Sequence, residues 1–254
     1  MLVVFHQDKH NSDTNFIQFI KIGSACLLKT NGRVSYKLLK LKAREIENSS
    51  CNNVLVVSGA IALGMTQEKE RRSKEELSLI ELQGYAGIGQ IYLMELYKRV
   101  FTKRVSQLLL TEKQLSEGNS IKNLLLENIA KNRITLINYN DCIDFEGLKK
   151  NNDTLAAEIM LICGGKRLII LGRDYSGFKD SQGELISRVS EINDSLYEHC
   201  NGKSKQGNGG FKTKLDAAKI LLEKDLEMIV SNINYNLEEI IAGRVKMTLF
   251  KREL

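Results

Sequence analysis

The feature that most constrains this chain is a repeated alternation of short apolar runs with longer amphipathic ones. The predicted strands are rich in Val, Ile and Leu and lie at 16–28, 53–58, 105–110, 134–138, 168–171, 227–231 and 248–250. The first of these runs is broken by Gly23 and Ser24. The predicted helices have apolar residues at helical spacing and lie at 34–47, 76–101, 121–131, 154–163, 190–200 and 211–223. Strands that alternate with helices favour a mostly parallel sheet with helices on both faces. The sequence therefore predicts an α/β three-layer sandwich.

We expect one domain over residues 1–254, with residues 1–15 as a loose N-terminal extension. A chain that is 43% hydrophobic and 27% charged is typical of a globular protein and excludes collagen, a coiled coil or bulk disorder. No apolar run reaches the roughly 18 to 20 residues of a membrane span, and the run at 2–5 is too short for a secretory signal. The composition therefore predicts no membrane partner.

Charge and cysteine usage narrow the location and the partners further. The net charge is +6, from 37 Lys and Arg against 31 Asp and Glu, and the two signs are mixed along the chain. A nucleic-acid-binding protein more often has a clustered basic stripe, so no nucleic-acid partner is predicted. The five cysteines include no C-x-x-C pair, which fits reduced thiols and a cytoplasmic protein.

Glycine and polar residues follow the predicted strands, at the places where parallel sheets bind ligands. These clusters are residues 21–24, 58–60, 138–141, 172–177 and 207–210. The last cluster is glycine-rich and precedes a helix, so its free N–H groups and the positive end of the helix dipole favour an anion. Lys214 in the first turn adds a charge for phosphate. Lys21, inside an apolar strand, requires a buried partner.

Several other catalytic patterns are absent from the sequence. It has no G-x-x-x-x-G-K-[ST] phosphate loop, no G-x-G-x-x-G after a strand and no G-x-S-x-G. The sequence has three histidines, so Ser–His or Cys–His catalysis is poorly supported. No metal ion bound directly by the protein is predicted. The remaining Lys, Ser, Asn and Asp residues suit phosphoryl transfer, which depends on positioning and charge stabilisation.

Five segments, in order, resemble the amino-acid-kinase superfamily and, within it, the glutamate 5-kinase family. They are residues 20–24 (IKIGS), 56–64 (VVSGAIALG), 86–90 (AGIGQ), 107–111 (QLLLT) and 207–215 (GNGGFKTKL). Residues 137–141 (INYND) and 151–153 (NND) are similar to two further family motifs. The SGAIA and GIGQ runs indicate glutamate 5-kinases rather than uridylate kinases or aspartokinases. The chain resembles the short form of that family, without the C-terminal RNA-binding-like PUA domain.

The resemblance implies a phosphoryl-transfer role for three matching residues. Lys21 and Lys214 match two lysines that neutralise the transferred phosphoryl group, and Asp153 matches the aspartate that holds them. The implied ATP-binding residues are Lys21, Arg173, Asp174, Asn208, Gly209, Gly210, Phe211, Lys212, Thr213 and Lys214. Mg²⁺ would be bound through the ATP phosphates, so no metal ligand is assigned to the protein.

The resemblance also implies an acceptor site at Ser58, Asp141 and Asn152. Asp141 would pair with the ammonium of L-glutamate, and Asn152 would offer both a donor and an acceptor. The implied activity is ATP-dependent phosphorylation of the γ-carboxylate of L-glutamate to glutamyl 5-phosphate, the first step of proline biosynthesis. Feedback inhibition by proline and a homo-oligomer contact at residues 84–99 are further expectations of the resemblance.

Several positions depart from the family pattern. Tyr139 and Asn151 replace carboxylates, which weakens the negative field around a substrate ammonium. The other departures are Arg173, Asn208, Asn232 and Met247, of which Arg173 would crowd the adenine or reach a phosphate. Two alternatives therefore remain: a kinase with another carboxylate, carbamate or phosphate acceptor, and a nucleotide-binding relative without catalysis.

Four candidate site residues also have ordinary structural interpretations. Ser58 could end a strand, Asp141 and Asn152 could form turns, and Asp153 could cap the helix that follows it. A capping role for Asp153 is compatible with a role in the site.

Overall fold

A computed structural model of the chain describes residues 16–29, 32–144, 151–199 and 210–253, and its centre is an eight-stranded sheet. The strands of this sheet are β1 (Ile17–Ile22), β2 (Asn52–Val57), β3 (Val105–Leu110), β4 (Ile134–Tyr139), β5 (Arg167–Gly172), β8 (Arg188–Val189), β9 (Glu227–Asn232) and β10 (Met247–Phe250). Their order is β3-β4-β2-β1-β5-β9-β10-β8. Every neighbouring pair is parallel except β9 with β10. A separate antiparallel pair is formed by β6 (Phe178–Lys179) and β7 (Leu185–Ile186).

Helices cover both faces of the sheet, as the sequence predicts. The helices are α1 (Tyr36–Asn48), α2 (Ala60–Gln67), α3 (Leu79–Val100), α4 (Glu112–Ser116), α5 (Gly118–Ala130), α6 (Asn152–Cys163), α7 (Asp194–His199), α8 (Gly210–Leu222) and α9 (Leu237–Ile241). One apolar core packs the sheet against α5, α6 and α8, and the other packs it against α1, α2, α3 and α9. The three-layer α/β expectation is confirmed. Within the described ranges, no helix combines the length and apolarity that crossing a membrane requires.

Neighbouring residues of β1 show how the two cores form. Phe19 belongs to the core on the α6 side and Ile20 to the core on the α1 side, and both are fully buried. Successive side chains of a strand point to opposite faces, so a strand covered on both faces is apolar throughout. This is the physical reason that β1, of sequence IQFIKI, has apolar side chains on both of its faces.

The structure changes several predicted boundaries. The first strand ends at Ile22, because a short 3₁₀ helix follows at Ser24–Cys26. The long helix begins at Leu79, since Ser78 caps it and Glu81 returns a bond to the cap backbone. Sequence periodicity missed α2, α4, α9 and the β6–β7 hairpin, which are too short to show a clear period.

Two glycines allow α2 and α3 to pack with their backbones in contact. A Cβ on Gly64 would lie 2.0 Å from the Tyr85 carbonyl oxygen, and a Cβ on Gly89 would lie 1.7 Å from the Ala60 carbonyl oxygen. Any larger residue at either position would force the helices apart. This contact brings Gln90 next to the start of α2, at the carboxyl edge of the sheet.

Candidate active site

Three charged residues meet at the carboxyl edge of the sheet. Lys21 lies near the end of β1, Asp153 in the first turn of α6, and Lys214 at the fifth residue of α8. The Lys21 Nζ lies 2.6 Å from Asp153 Oδ1, and the Lys214 Nζ lies 3.2 Å from Asp153 Oδ2. Lys21 and Asp153 are only 8% and 3% exposed. The partner that the buried Lys21 requires is therefore Asp153.

This cluster holds two positive charges against one negative charge. The Thr213 hydroxyl also donates to Asp153 Oδ2, at 2.7 Å. Burial would raise the pKa of the Asp153 carboxyl, but the Lys21 and Lys214 ammoniums and the Thr213 hydroxyl hold it well below its usual range. The carboxylate therefore stays ionised, and the cluster keeps one net positive charge in a site of low dielectric, which favours an anionic ligand.

The Lys214 ammonium has further contacts that fix its position. It donates to the Gly210 carbonyl at 3.3 Å and lies over the Tyr175 ring, 5.0 Å from the centroid. Tyr175 in turn packs edge-on against Phe211, with ring centroids 5.1 Å apart. Sequence reasoning missed Tyr175, and no motif marks it. The predicted ATP-binding residues Asn208 and Gly209 lie outside the described residues.

The remaining predicted ATP-binding residues follow β5 or lie on α8. Asp174 is exposed, directly after Arg173, and Lys212 is exposed on α8. The Arg173 guanidinium donates to the Leu28 carbonyl at 2.5 Å and also to the Cys26 carbonyl and the Ser35 hydroxyl. This side chain therefore ties the segment between β1 and α1 to the end of β5.

Asn232, a second departure from the family pattern, has a similar role. Its Nδ2 donates to the carbonyls of Arg173 and Tyr175, at 2.7 and 3.0 Å. This amide links the end of β9 to the segment after β5. Two of the unusual residues at this edge therefore stabilise its backbone.

The predicted acceptor residues lie at the same carboxyl edge of the sheet as the charged cluster. Ser58 follows β2, is half-buried and donates to the Ile22 carbonyl at 3.4 Å. Gly59 has a φ of +109°, which lets the chain turn directly into α2. Asp141 follows β4 and is half-buried. Burial raises the pKa of Asp141 to about 6, although the positive charge of Lys74 opposes this increase.

Asn152 lies at the start of α6, next to Asp153, and its amide N–H groups are both used. Its Nδ2 donates to the Val57 carbonyl and to Asn138 Oδ1, each at 2.9 Å. The sequence predicts both a donor and an acceptor here, but the structure leaves only the oxygen for a ligand. Asn138 donates in turn to Gln90 Oε1 at 3.0 Å. Gln90 is the last residue of the AGIGQ segment, and the sequence alone predicts no role for it.

Tyr139 and Asn151, which replace the two family carboxylates, both have structural roles in this chain. The buried Tyr139 directs its hydroxyl to Glu112 Oε1, at 3.3 Å. Asn151 caps α6, because its Oδ1 accepts the N–H groups of Asp153 and Thr154, both at 3.0 Å. The cap of this helix is therefore Asn151, and Asp153 stays available to the lysines.

A separate cleft of about 400 Å³ lies where α4 meets α5, and it lacks the charges of the site above. Its lining residues are Ser116, Glu117, Gly118, Asn119 and Ile162. Among the residues that the structure describes, no lysine or arginine lines it. In the parts of the chain that the structure describes, no three His, Cys, Asp or Glu residues cluster as metal ligands.

The sequence of this chain is similar to those of several named proteins. A Glutamate 5-kinase of Caldanaerobacter subterraneus subsp. tengcongensis is 34% identical over 250 residues, covering 91% of this chain and 66% of that protein. The chain thus spans about two thirds of this relative's length. Glutamate 5-kinases of Enterococcus faecalis and Lactococcus lactis subsp. cremoris are 30% and 31% identical and are covered to 93% and 94%. The resemblance to glutamate 5-kinases is confirmed.

Solved structures with little sequence identity share the fold. A UMP kinase from Ureaplasma parvum matches with a TM-score of 0.61 at 16% identity, covering 93% of this chain and 100% of that one. A carbamate kinase from Giardia lamblia bound to AMP-PNP matches with a TM-score of 0.64 at 13% identity, covering 96% and 100%. The Amino acid kinase family matches residues 17–232. Because this match covers most of the chain, the chain belongs to the amino acid kinase family.

Proposed function

We propose that this chain transfers the γ-phosphoryl group of ATP to the γ-carboxylate of L-glutamate, forming glutamyl 5-phosphate. This would be the first step of proline biosynthesis. The observation that carries the proposal is the pair of buried lysines held by one carboxylate, with Lys21 and Lys214 on opposite oxygens of Asp153. The named relatives, which are glutamate 5-kinases, favour this acceptor over others.

The chemistry assigned to the cluster is charge neutralisation. During transfer, negative charge spreads over the equatorial oxygens of the phosphoryl group, and two fixed ammoniums stabilise it without further reorganisation. The acceptor is a carboxylate, which is ionised near pH 7 and needs no general base. In this proposal Lys21 and Lys214 act on the phosphoryl group, and Asp153 holds both lysines in place.

Mg²⁺ fits the proposal as an ion bound through the phosphates of ATP. Both carboxylate oxygens of Asp153 are engaged by Lys21, Lys214 and Thr213, so this buried carboxylate is not offered to a metal. When bound, Mg²⁺ supplies additional neutralisation of phosphate charge. The first five residues of α8, which include Lys212, Thr213 and Lys214, would face the phosphates.

The acceptor site supports an amino acid as the substrate. Asp141 and the Asn152 oxygen are hydrogen-bond acceptors that suit an ammonium group. Tyr139 and Asn151, which motivate a different acceptor, have structural partners in Glu112 and the α6 backbone. These contacts explain both replacements without a change of substrate.

We also propose a cytoplasmic location and a homo-oligomer, with proline as a candidate feedback inhibitor. The cysteines among the described residues are all free thiols, which suits a reducing compartment. The support for self-association is the outer face of α3, where Ile80 and Ile91 are 79% and 71% exposed. Large exposed apolar side chains on one helix face favour a protein contact.

The activity is tested by hydroxylamine trapping. Purified protein is incubated with ATP, Mg²⁺ and L-glutamate, and hydroxylamine converts an acyl phosphate to a coloured hydroxamate. We expect colour that depends on glutamate. Colour with another acceptor, and none with glutamate, would indicate a different substrate. ATP binding without turnover on any acceptor would indicate a non-catalytic relative.

Lys214→Ala tests the assigned role of the cluster. Removal of one stabilising charge from a phosphoryl-transfer site is expected to lower kcat by roughly 10²- to 10³-fold. The matched control is Lys219→Ala, since Lys219 is exposed on the same helix, and we expect near-normal turnover. Equal activity of the two variants would contradict the mechanism. Circular dichroism checks that both variants keep the fold.

A further inference from the structure

Three buried or half-buried amide side chains form a chain of hydrogen bonds behind the acceptor site. Asn152 Nδ2 donates to the Val57 carbonyl and to Asn138 Oδ1, and Asn138 Nδ2 donates to Gln90 Oε1. The donor–acceptor distances of these three hydrogen bonds are 2.9 to 3.0 Å. We call this set of three amides the amide relay. It joins the start of α6 to α3 across the end of β4.

One backbone group fixes the direction of the whole relay. The Val57 carbonyl can only accept, so the Asn152 amide must present nitrogen to it. That nitrogen also faces Asn138, which must therefore present its oxygen. The opposite end of the Asn138 amide is then nitrogen, and it requires the oxygen of Gln90. Each amide has a single orientation that satisfies its neighbours, and the order cannot be reversed while Val57 accepts.

The amide relay presents a hydrogen-bond acceptor at one end and a hydrogen-bond donor at the other. At one end, Asn152 retains an oxygen, next to Asp153. At the other end, Gln90 Nε2 is a buried donor without a hydrogen-bond partner among the described residues. Gln90 is 8% exposed, and it lines a cavity of about 10 Å³ together with Ala60, Asp141 and Cys142. That space accommodates one oxygen-sized group.

We propose that Gln90 determines acceptor selectivity through the unpartnered donor that the amide relay directs into this cavity. The relay presents an acceptor at Asn152, for the ammonium of an α-amino acid, and a donor at Gln90, for an oxygen of its α-carboxylate. An unmatched buried donor is costly, so an acceptor that supplies this oxygen is favoured over one that lacks it. The inference rests on the proposed function and names the two substrate groups that the relay distinguishes.

The test compares L-glutamate with two analogues that each lack one group. Glutarate lacks the α-ammonium, and 4-aminobutyrate lacks the α-carboxylate, while both keep the carboxylate that would be phosphorylated. The kcat/KM for each is measured by hydroxamate formation in the wild-type protein and in Gln90→Met, which keeps the length of the side chain and removes both polar ends. We expect the preference for glutamate over 4-aminobutyrate to fall at least about tenfold, and the preference over glutarate to stay nearly unchanged, since Val57 still orients Asn152.

Gln18→Met is the matched control. Gln18 is fully buried and donates to Asn53 Oδ1 at 2.9 Å, at the opposite edge of the sheet. Loss of this amide–amide bond should lower stability without a change in acceptor preference. The preference is the ratio of the kcat/KM values that one protein preparation has for two acceptors. A partly unfolded fraction lowers both values equally, so the ratio is unchanged.

Asn138→Asp provides a second variant if Gln90→Met does not fold. An aspartate still accepts from Asn152, but it presents oxygen to Gln90, so the Gln90 amide turns over and directs its oxygen into the cavity. Preference over 4-aminobutyrate should then fall. Unchanged preference over 4-aminobutyrate in the active variants would overturn the inference alone. A wild-type protein that does not phosphorylate glutamate would instead overturn the proposed function, and the inference with it.

Discussion

The carboxylate of Asp153 holds two lysines that are far apart in the sequence. Lys21 lies on β1 and Lys214 on α8. Its oxygens are divided between Lys21 and Lys214, and Thr213 adds a hydrogen bond. A buried lysine without a partner would lose its charge or destabilise the fold, so this carboxylate makes the cluster possible. Structure and the proposed chemistry therefore depend on the same residue.

Asp153→Asn should impair both stability and turnover. The substitution keeps the shape of the side chain but leaves two buried ammoniums without a counter-charge. Removal of one member of a buried ion pair typically costs about 3 to 5 kcal/mol. We expect a decrease of that order in the free energy of unfolding, measured with urea, together with a large loss of kcat.

Asp216→Asn is the control for this substitution. Asp216 lies on the same helix as Lys214 and accepts from the Tyr197 hydroxyl, at 2.8 Å. A neutral amide oxygen can still accept that bond, so a change of less than about 1 kcal/mol is expected. A similar loss of stability in both variants would contradict the special role of Asp153.

The raised pKa of Asp141 leads us to expect that glutamate binding depends on pH. Burial raises the pKa of Asp141 to about 6, so below pH 6 the carboxyl is mostly protonated and cannot pair with an ammonium. The KM for glutamate at saturating MgATP should therefore rise as pH falls from 7.5 to 5, by up to about tenfold per unit below the pKa. The γ-carboxylate of glutamate remains largely ionised over this range.

Asp141→Asn separates this effect from other titrations. The variant should have a high KM for glutamate that changes little between pH 7.5 and 5, since the titrating group is gone. A wild-type KM that is constant across this range would argue against Asp141 as the partner of the substrate ammonium.

At the scale of elements, α3 is positioned by its cap and by close contact with α2. Ser78 accepts the Glu81 N–H and starts the helix, and glycines allow the two backbones to touch. The sequence predicts this helix from its length and apolar spacing. It does not reveal why the glycines occur there, because the neighbouring helix α2 is too short to predict from periodicity.

Gly89→Ala and Gly84→Ala should have opposite effects on stability. A Cβ on Gly89 would lie 1.7 Å from the Ala60 oxygen, whereas a Cβ on Gly84 would have no atom within 4 Å. We expect Gly89→Ala to lower the free energy of unfolding by about 1 to 3 kcal/mol or more, through overpacking. Gly84→Ala should raise it by up to about 1 kcal/mol, through helix propensity. Urea unfolding measures both, and equal effects would contradict the packing argument.

At the scale of the whole molecule, parallel topology explains why the site could be predicted in outline. The carboxyl ends of β1, β2, β4 and β5 meet at one edge, so polar clusters that follow these strands must come together. Their hydrogen-bond partners could not be predicted, because they depend on register and on loops. Arg173 is the clearest example: its sequence position suggests a nucleotide contact, but its guanidinium binds the Leu28 carbonyl.

The outer face of α3 carries the proposed self-association. Ile80 and Ile91 are separated by 11 positions, about three helical turns, so they lie on the same face, and both are largely exposed. A lysine at the centre of such a contact would bury a charge without a partner. We therefore expect Ile91→Lys to lower the molar mass measured by light scattering at a fixed protein concentration, relative to the wild type.

Leu124→Lys is the matched control, since Leu124 is 47% exposed on α5, which packs on the opposite face of the sheet. It introduces the same charge without touching α3, and its molar mass should equal that of the wild type. A monomeric wild-type protein, or an Ile91→Lys variant of unchanged mass, would remove α3 as the contact. Because the acceptor side of the site includes Gln90 from this same helix, the glutamate KM of a dissociated variant would also show whether self-association supports the site.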